Sequence, residues 1–332
     1  MALSDLYSKY KSSYYQAAFD FTRHVIFVIF SIYYMMSFRD SAFPVILTGL
    51  LQVKTFIIYH DCGHNSYTPN KQLNYIIGNF CGIFVNFPFF WNYQHHTHHL
   101  TNGQIGNPYD YNFNELIFHT LDQYKQMYPL VRRTYSIIRS PLALFTILTY
   151  IQFFIAQRFT VLIFYMNKYA YKPDYGVLWF EQIFNNVGIM VFMYILYERA
   201  ILLNWILSLC ISSTVGSLLF ICQHTYNPLY VVKPEEWNAT DSGLVGSSLI
   251  EIPYLLKYFT GGIEYHHIHH MNSKIPNYNL QAFHEEVVST SDLFDKITVL
   301  SLTDCYHNAQ FALYDEAERR YITFQEADKK ME

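Results

Sequence analysis

The chain contains the apolar run FTRHVIFVIFSIYYMMSF (Phe21–Phe38), followed by the polar link Arg39-Asp40 and a second apolar run, AFPVILTGLLQVKTFIIY (Ala42–Tyr59). This pattern determines the architecture. A helix that crosses about 30 Å of hydrocarbon needs about 20 mostly apolar residues, and each run approaches that length. Because the link is short, the two runs form a helical hairpin. A second hairpin is predicted from the runs 178–196 and 200–222. The sequence therefore predicts an all-α integral membrane protein with four transmembrane helices in two hairpins.

Two further apolar runs are less suited to crossing a membrane. The run Leu73–Phe90 is interrupted by asparagine, glycine and proline residues. The run Pro141–Ile155 would reach only about 22 Å as a helix. We expect both to form re-entrant or interfacial helices.

The composition and the distribution of charge support a membrane protein. Of the 332 residues, 52% are hydrophobic and only 14% are charged, whereas about 25% are charged in an average soluble domain. The net charge of -4 argues against nucleic acid as a partner. The two hairpin turns hold only Arg39 and Arg199 of the 22 basic residues. Since basic residues gather on the cytoplasmic side, both termini and the long segments between hairpins are predicted to be cytosolic.

This topology divides the chain into three parts. Residues 1–20 form a cytosolic N-terminal segment, residues 21–290 the membrane domain and residues 291–332 a cytosolic C-terminal segment. We expect the last part to end in a charged helix from Asp315 to Lys330. The pair Lys329-Lys330 is typical of an endoplasmic reticulum retrieval signal, which predicts that membrane as the location in a eukaryotic cell.

Ten of the 15 histidines fall in three clusters, each at or beyond the end of an apolar run. The clusters are His60-Asp-Cys-Gly-His64, His95-His96-Thr-His98-His99 and His266-His267-Ile-His269-His270. Helix positions i and i+4, like i and i+3, lie on one face. His60 and His64 therefore point at one region, and each later cluster offers two ring nitrogens on one face and a third nearby. We expect these clusters to form a cytosolic histidine-rich cap.

The clusters predict metal ligands. The eight nitrogens of His60, His64, His95, His98, His99, His266, His269 and His270 are too many for one tetrahedral zinc ion, so two metals are predicted. His224 ends the fourth run on the same membrane side and is a ninth candidate. Imidazole suits Fe, Zn, Cu and Ni, so the ligand type alone leaves the metal open.

Neighbouring polar residues are candidates for holding the ring N–H groups of the ligands. These candidates are Asp61, Asn65, Gln223 and Glu264, together with His96 and His267, which should point away from the ligand faces or lie exposed. The HExxH motif of zinc proteases is not matched, because Asp61 stands where that motif has Glu. The two Glu-x-x-His motifs of soluble di-iron bundles are not matched either, because only Glu264 and His267 have that spacing.

At these residues the chain resembles the membrane fatty acid desaturases, which are marked by three histidine boxes of the forms HxxxH, HxxHH and HxxHH. The run His60–Ser66 (HDCGHNS), Trp91 before the second box, the pair Gln223-His224 and the run Phe259–His270 (FTGGIEYHHIHH) are also similar to the family. The following run Met271–Leu280 looks like the acyl-lipid, methyl-end (omega-6-like) branch. The resemblance covers about residues 40 to 290.

The resemblance implies an enzyme with two iron ions. In that family the irons activate O2 with two electrons from an outside carrier, and two hydrogens leave adjacent methylenes of an acyl chain to give a cis double bond. The nine ligands implied are the eight box histidines and His224. The implied substrate is a fatty acyl lipid or acyl-CoA at the membrane.

Two positions depart from patterns seen in the family. Front-end desaturases usually have a fused cytochrome b5 domain and Gln at the first position of the third box, whereas His266 stands there and no His-Pro-Gly-Gly motif occurs. A separate electron donor such as cytochrome b5 or ferredoxin is therefore implied. The glycine often found after the first box is Asn65 here.

Two alternatives stay open. A fatty acyl hydroxylase or conjugase of the same superfamily would share the boxes and differ only in its product. A histidine-rich membrane metal transporter or receptor without catalysis is an alternative of another class. Transporters place ionisable ligands near the bilayer midplane, whereas these clusters lie at or beyond the ends of the apolar runs.

Overall fold

The computed structural model describes residues 3–104, 118–162, 175–228 and 230–331. The α-helices are α1 (Leu3–Lys9), α2 (Tyr14–Ser37), α3 (Ala42–Gly63), α4 (Lys71–Val85), α5 (Trp91–Thr101), α6 (Leu121–Gln126), α7 (Pro129–Ile138), α8 (Tyr175–Glu198), α9 (Leu202–His224), α10 (Ala239–Leu244), α11 (Lys257–Thr260), α12 (His266–Met271), α13 (Asn277–Thr290), α14 (Leu302–Asn308) and α15 (Phe324–Lys329). The strands are β1 (His119–Thr120), β2 (Leu249–Ile250), β3 (Val299–Leu300), β4 (Phe311–Asp315) and β5 (Arg320–Thr323). Within these residues the protein is mostly helical, as predicted.

Four described helices, α2, α3, α8 and α9, are long and apolar enough to cross a membrane. The four predicted spans and their pairing into two hairpins are therefore confirmed. Three of these four helices are longer than the predicted apolar runs, and α9 is displaced from its run by two residues. In particular, α2 begins at Tyr14, so the boundary expected near residue 20 falls inside this helix.

Helix α3 is the most enclosed span and packs against α2, α4 and α9. Its Gly49 permits the close approach of α9, because a Cβ at this position would lie 2.8 Å from the carbonyl oxygen of Ser208. At the end of the α2–α3 pair that carries the first histidine box, Lys54 forms a buried ion pair with Asp20 at 3.2 Å. Asp20 also accepts hydrogen bonds from Arg23 and from the hydroxyl of Tyr67, each at 3.0 Å. The ends of α2 and α3 are thereby joined beside the first histidine box.

The two less apolar runs form bent structures. Helix α4 ends at Val85, and residues 86–90 turn the chain into α5. The second run forms two π-helical segments, Ala143–Leu148 and Ile151–Ile155, followed by the 3-10 turn Ala156–Arg158. This stretch is bent by 69° relative to α7, as in a broken span or a re-entrant loop. Both runs therefore pack beside the spans without crossing as single straight helices.

The prediction of a helix from Asp315 to Lys330 is wrong. Strands β4 and β5 form an antiparallel hairpin, and β1 pairs with β4 in parallel. The charged run between the strands forms the turn, in which Arg319 has the left-handed φ of 52°. Ile322 is buried, and Thr323 caps the short α15 together with Glu326. The charged residues thus belong to a turn, while the β-branched residues after them pair in the sheet.

Candidate metal centre

Four chain segments bring the histidine clusters to one end of the helical bundle. His60 and His64 lie at the last turn of α3, and His224 is the last residue of α9. The second cluster lies on α5 and the third on α12. Because α5 and α12 are short helices outside the spans, all nine predicted ligands meet at the same end of the bundle.

The nine ring nitrogens form two groups. One group contains His60, His64, His95, His99 and His269, and the other contains His98, His224, His266 and His270. Within each group the nitrogens lie within 4.8 Å of one another. The i, i+4 pair of each later box stays together, whereas the third histidine of that box crosses to the other group. No carboxylate or thiolate joins either group among the described residues.

The nitrogens converge in the manner of metal ligands. The Nε2 atom of His95 lies 2.8 Å from that of His60 and 3.1 Å from that of His99, which lies 2.9 Å from that of His269. A ring nitrogen has a single donor or acceptor site, so one atom cannot hydrogen-bond well to two such neighbours. Adjacent ligands of one ion, each bound at about 2.0–2.1 Å, lie about 3 Å apart. The spacing fits a shared ion better than a chain of hydrogen bonds.

The second group has the same spacing. The Nε2 atom of His224 lies 3.1 Å from that of His98 and 2.9 Å from that of His266. The Nε2 atoms of His266 and His270 are 3.1 Å apart. In the first group, the buried Nε2 of His64 has no hydrogen-bond partner. A metal ion would satisfy this atom, so the residues present fit two imidazole-bound ions.

Burial favours the neutral form of six of these imidazoles. Burial, followed by repulsion from neighbouring imidazoles, holds the pKa of His95 and His269 well below the ordinary value of 6.5. The pKa is lowered in the same way for His64, His99, His266 and His270. Neutral imidazole is the form that binds a metal ion.

Two contacts fix the rings of individual candidates. The Nδ1–H of His60 donates to Asp61 Oδ1 at 3.2 Å, and Asp61 Oδ2 accepts the backbone N–H of Asn277 at 2.6 Å. The Nδ1–H of His224 donates to the carbonyl oxygen of Gly246 at 3.1 Å. In both cases the lone pair of Nε2 is left to bind a metal ion. The sequence indicated Asp61 as a candidate, whereas no sequence pattern could indicate that a backbone carbonyl would contact His224.

The other predicted neighbours have different surroundings. Gln223 donates from Nε2 to the carbonyl oxygen of Ile263 at 2.7 Å, and Glu264 accepts from the hydroxyl of Thr260 at 2.7 Å. Both therefore brace the turn before the third box. Within the described part of the chain, neither side chain is hydrogen-bonded to a box histidine.

Neither His96 nor His267 belongs to a nitrogen group. His96 is exposed, whereas His267 is fully buried with its Nε2 3.3 Å from Nδ1 of His284. Asn65 is exposed at a left-handed φ of 54°, a backbone conformation that glycine and asparagine adopt most readily. This explains why Asn can stand where the family often has Gly.

Two side chains near the histidine boxes were not predicted. Lys274 donates from Nζ to the carbonyl oxygen of His64 at 2.5 Å. Glu181, an acid within the α8 span, lies near Phe90, the residue before α5, and its buried Oε2 atom has no hydrogen-bond partner. The signal for Glu181 was available, because an acidic residue inside an apolar span is rare and usually functional.

An apolar cavity of about 420 Å³ meets both nitrogen groups. His60 and His95 of one group and His98 and His266 of the other line it. It extends along α9 to Leu209, about 22 Å from His224 along the helix axis. Its volume is in the range of ligand pockets, and its walls are aromatic and aliphatic. The arrangement can hold a long apolar chain against both nitrogen groups.

Comparison with known proteins agrees with this arrangement. Residues 41–295 match the family model described as fatty acid desaturase. A protein of Bacillus subtilis named fatty acid desaturase is 28% identical, with 85% of this chain and 77% of that protein covered. The sn-1 oleoyl-lipid 12-desaturase of a Picosynechococcus species is 23% identical over 86% of this chain and 79% of its own. The sn-1 acyl-lipid omega-3 desaturase (ferredoxin) of a Nostoc species is 33% identical over 28% of this chain and 27% of its own.

Proposed function

This chain belongs to the fatty acid desaturase family of membrane oxidoreductases, and we propose that it introduces a cis double bond into a lipid-linked or CoA-linked acyl chain at a di-iron centre. The proposed ligands are His60, His64, His95, His99 and His269 for one iron and His98, His224, His266 and His270 for the other. The observation that carries this proposal is the apolar cavity, because histidines of both groups line it.

The protein's own residues orient the histidines and shield them from water. Asp61 and the Gly246 carbonyl orient two of the imidazoles. Trp91 stacks on His95 with ring centroids 4.9 Å apart, and Phe220 lies 5.2 Å from His98. These rings exclude water from the side of the histidines that faces the cavity. A narrow apolar cavity also fixes which methylene pair lies at the centre, since small misplacements lower the rate strongly.

The bound irons would supply the activation of O2. In the overall reaction, O2 takes two electrons and two protons from outside and two hydrogen atoms from the acyl chain, which yields one double bond and two waters. We propose that the two electrons come from a separate donor protein, cytochrome b5 or a ferredoxin. The name of the Nostoc relative specifies ferredoxin for that protein. The names of the cyanobacterial relatives favour an acyl chain carried on a membrane lipid.

We further propose that both termini and the histidine cap face the cytosol, in the endoplasmic reticulum membrane if the host cell is eukaryotic. The proposed parts remain residues 1–20, 21–290 and 291–332. Asn238 is exposed on the side of the histidine cap, and Asp40 lies in the turn between α2 and α3. A cysteine introduced at Asn238 should react with an impermeant maleimide only when the reagent has access to the cytosolic face of the membrane. A cysteine at Asp40 should show the opposite accessibility, and the reverse pattern would invert this topology.

Lipid profiling tests the proposed activity. The full chain is expressed with a ferredoxin and its reductase, and the fatty acids are compared with those from His60→Ala and His96→Ala. We expect new cis-unsaturated chains with the wild type and with His96→Ala, because His96 is in neither nitrogen group, and none with His60→Ala. A hydroxylated chain without a new double bond would favour the hydroxylase alternative. Metal uptake without any change in lipids would favour the transporter.

A further inference from the structure

One side of helix α7 packs on the C-terminal hairpin of β4 and β5. The hydroxyl of Tyr135 donates to the carbonyl oxygen of Ala312 at 2.9 Å. Arg139, the C-cap residue of α7, donates to the carbonyl oxygen of Phe311 at 3.1 Å. Tyr135 and Arg139 are four residues apart, so they lie on the same side of the helix. This side of α7 is therefore attached to a part of the chain that lies outside the four spans.

The opposite side of α7 is apolar and uncovered. Four residues on this side are exposed, and they are Leu130, Val131, Ile137 and Ile138. Leu130 has 76% of its surface exposed and Ile137 has 59%. Their spacing, with pairs of adjacent residues seven positions apart, is that of one apolar helix face. An exposed apolar face of this kind indicates a site that binds another protein or a membrane.

The stretch that follows α7 indicates which of these partners covers the face. Together with residues 143–158, α7 is apolar enough to be one broken span or a re-entrant loop. Residues 143–148 pack against the span α9. The exposed apolar surface of α7 continues along this stretch at Leu142, Ile147, Ile151 and Ile155. Because the stretch packs on a membrane span, its exposed side faces lipid, and the apolar face of α7 is continuous with that side.

The bend between the two parts fits a helix in the plane of the membrane. The chain turns by 69° between α7 and residues 143–158. A stretch that enters the bilayer along α9 therefore leaves α7 inclined toward the membrane surface. The hairpin is attached to the side of α7 away from its apolar face, so the apolar face points toward the bilayer. Amphipathic helices of this composition lie in the interface with the apolar side among the acyl chains.

The charges beside the apolar face fit an anionic lipid surface. Residues 127–140 contain three arginines and no acidic residue. Arg133 is exposed, three residues after Leu130 and four before Ile137, so it lies at the border of the apolar face. A long basic side chain can bury its aliphatic part in an apolar layer while its charge reaches the phosphates. Anionic lipids attract such residues near the membrane surface.

We propose that α7 is a lipid-binding interfacial helix, with its apolar face at the boundary between headgroups and acyl chains and Arg133 on the phosphates of anionic lipids. This surface is separate from the cavity. The proposal rests on the membrane spans and is independent of the proposed metal centre. Leu144 and Leu148 of the next stretch line the cavity. By binding the membrane surface, α7 therefore holds one wall of the cavity at a fixed depth.

Spin-label depth in the full chain tests this placement. The protein is reconstituted in vesicles of phosphatidylcholine and phosphatidylglycerol. The variants Leu130→Cys, Ile137→Cys and Ser136→Cys are labelled in a Cys210→Ser background, because the other four cysteines are buried. Ser136→Cys is the matched control. Ser136 lies on the same helix, is not part of the apolar face, and donates to the carbonyl oxygen of Arg133 at 2.9 Å.

Oxygen is concentrated in lipid, whereas a nickel chelate stays in water. The labels at positions 130 and 137 should therefore collide several-fold more often with oxygen than with the chelate, and the label at position 136 should show the reverse. Access of the chelate to positions 130 and 137 equal to that at position 136 would overturn the proposal. Poor access of both probes, with spin–spin broadening between chains, would show that a second copy covers the face and would also overturn it.

Substitution of Arg133 tests the contact with anionic lipid. Arg133→Glu should bring the label at position 137 closer to water in vesicles that contain phosphatidylglycerol, and this shift should vanish in pure phosphatidylcholine. Arg133→Lys should keep the wild-type depth in both. A depth that is the same for all three proteins in both vesicles would overturn the role of Arg133. These measurements need no iron, so a chain without iron that gives the expected depths would contradict the proposed function and leave this inference intact.

Discussion

The imidazoles of His99 and His270 stack with ring centroids 4.2 Å apart and planes inclined by 22°, although they belong to different nitrogen groups. His99 stands in the second box and His270 in the third. The two proposed iron sites are therefore in direct contact through these two rings, and a change in one site alters the packing of the other.

Removing one ring should consequently affect both sites. We expect His270→Ala to lose one iron and to alter the Mössbauer spectrum of the remaining iron, because His99 loses the ring on which it stacks. His96→Ala should keep both irons and the wild-type spectrum, since His96 is exposed and outside both groups. An unaltered spectrum for the iron that remains in His270→Ala would show that the sites are independent.

Substitution of Gly216 by a larger residue should limit the length of the acyl chain. It lines the cavity, and a Cβ built at Gly216 meets no atom within 4 Å. Gly216→Leu should fold at least as well as the wild type, because leucine favours a helix over glycine by about 1 kcal/mol. The leucine side chain would fill part of the cavity, so unsaturated products of long chains should fall relative to those of short chains.

The control for this change is Cys210→Leu, at a position on the same helix that does not line the cavity. Gas chromatography of the fatty acids and the iron content are measured for both variants. A wild-type product profile in a folded, iron-loaded Gly216→Leu protein would disprove the placement of the acyl chain.

Substitutions at the two members of the buried ion pair, Asp20 and Lys54, should lower the thermal stability by different amounts. Lys54→Met leaves Asp20 with its hydrogen bonds from Arg23 and Tyr67. Asp20→Asn leaves a buried ammonium without a countercharge, and breaking such a pair costs about 3–5 kcal/mol. Thermal unfolding in detergent should therefore show the lower midpoint for Asp20→Asn, with partial recovery in the double variant. A lower midpoint for Lys54→Met would contradict the described pairing.

The docking of α1 on α13 should weaken at low pH. Hydrogen bonds from Lys9 and Tyr10 hold the pKa of Glu286 below its ordinary value of 4.5. Because the pKa is lower in the folded state, this contact stabilises the docked segment above pH 4.5 and is lost as the pH falls through the lower folded pKa. Hydrogen exchange of residues 3–10 should accelerate there. Glu286→Gln should remove most of this pH dependence, and an unchanged profile in that variant would assign it to another group.

The spans could be predicted from the sequence because their signal is local. The apolar runs after Arg39-Asp40 and after Arg199 needed only length and composition to be identified. The ends were less certain, since α2 continues back to Tyr14 through a stretch in which only Ala17 and Asp20 are buried. The C-terminal hairpin was missed because the charges near Asp315 were interpreted as a helix surface, whereas pairing with β1 is a long-range contact.

The sequence predicted which histidines come together in the candidate site, but it did not predict how they divide into two nitrogen groups. Helical spacing predicted two ring nitrogens on one face of each later box with a third nearby, and in the structure the two that stay together are His95 with His99 and His266 with His270. That His98 and His269 exchange groups depends on how α5 crosses α12, which no local pattern encodes. The contact of the Gly246 carbonyl with His224 likewise depends on tertiary packing.

The iron content of the purified chain tests the central proposal most directly. The full chain should be prepared without chelators and loaded anaerobically with ferrous iron, and metals should be counted by mass spectrometry alongside Mössbauer spectroscopy. The proposal predicts two irons per chain in nitrogen-rich surroundings, reduced in His64→Ala and in His98→Ala. Zinc alone, or iron far below one ion per chain in a correctly folded sample, would contradict it.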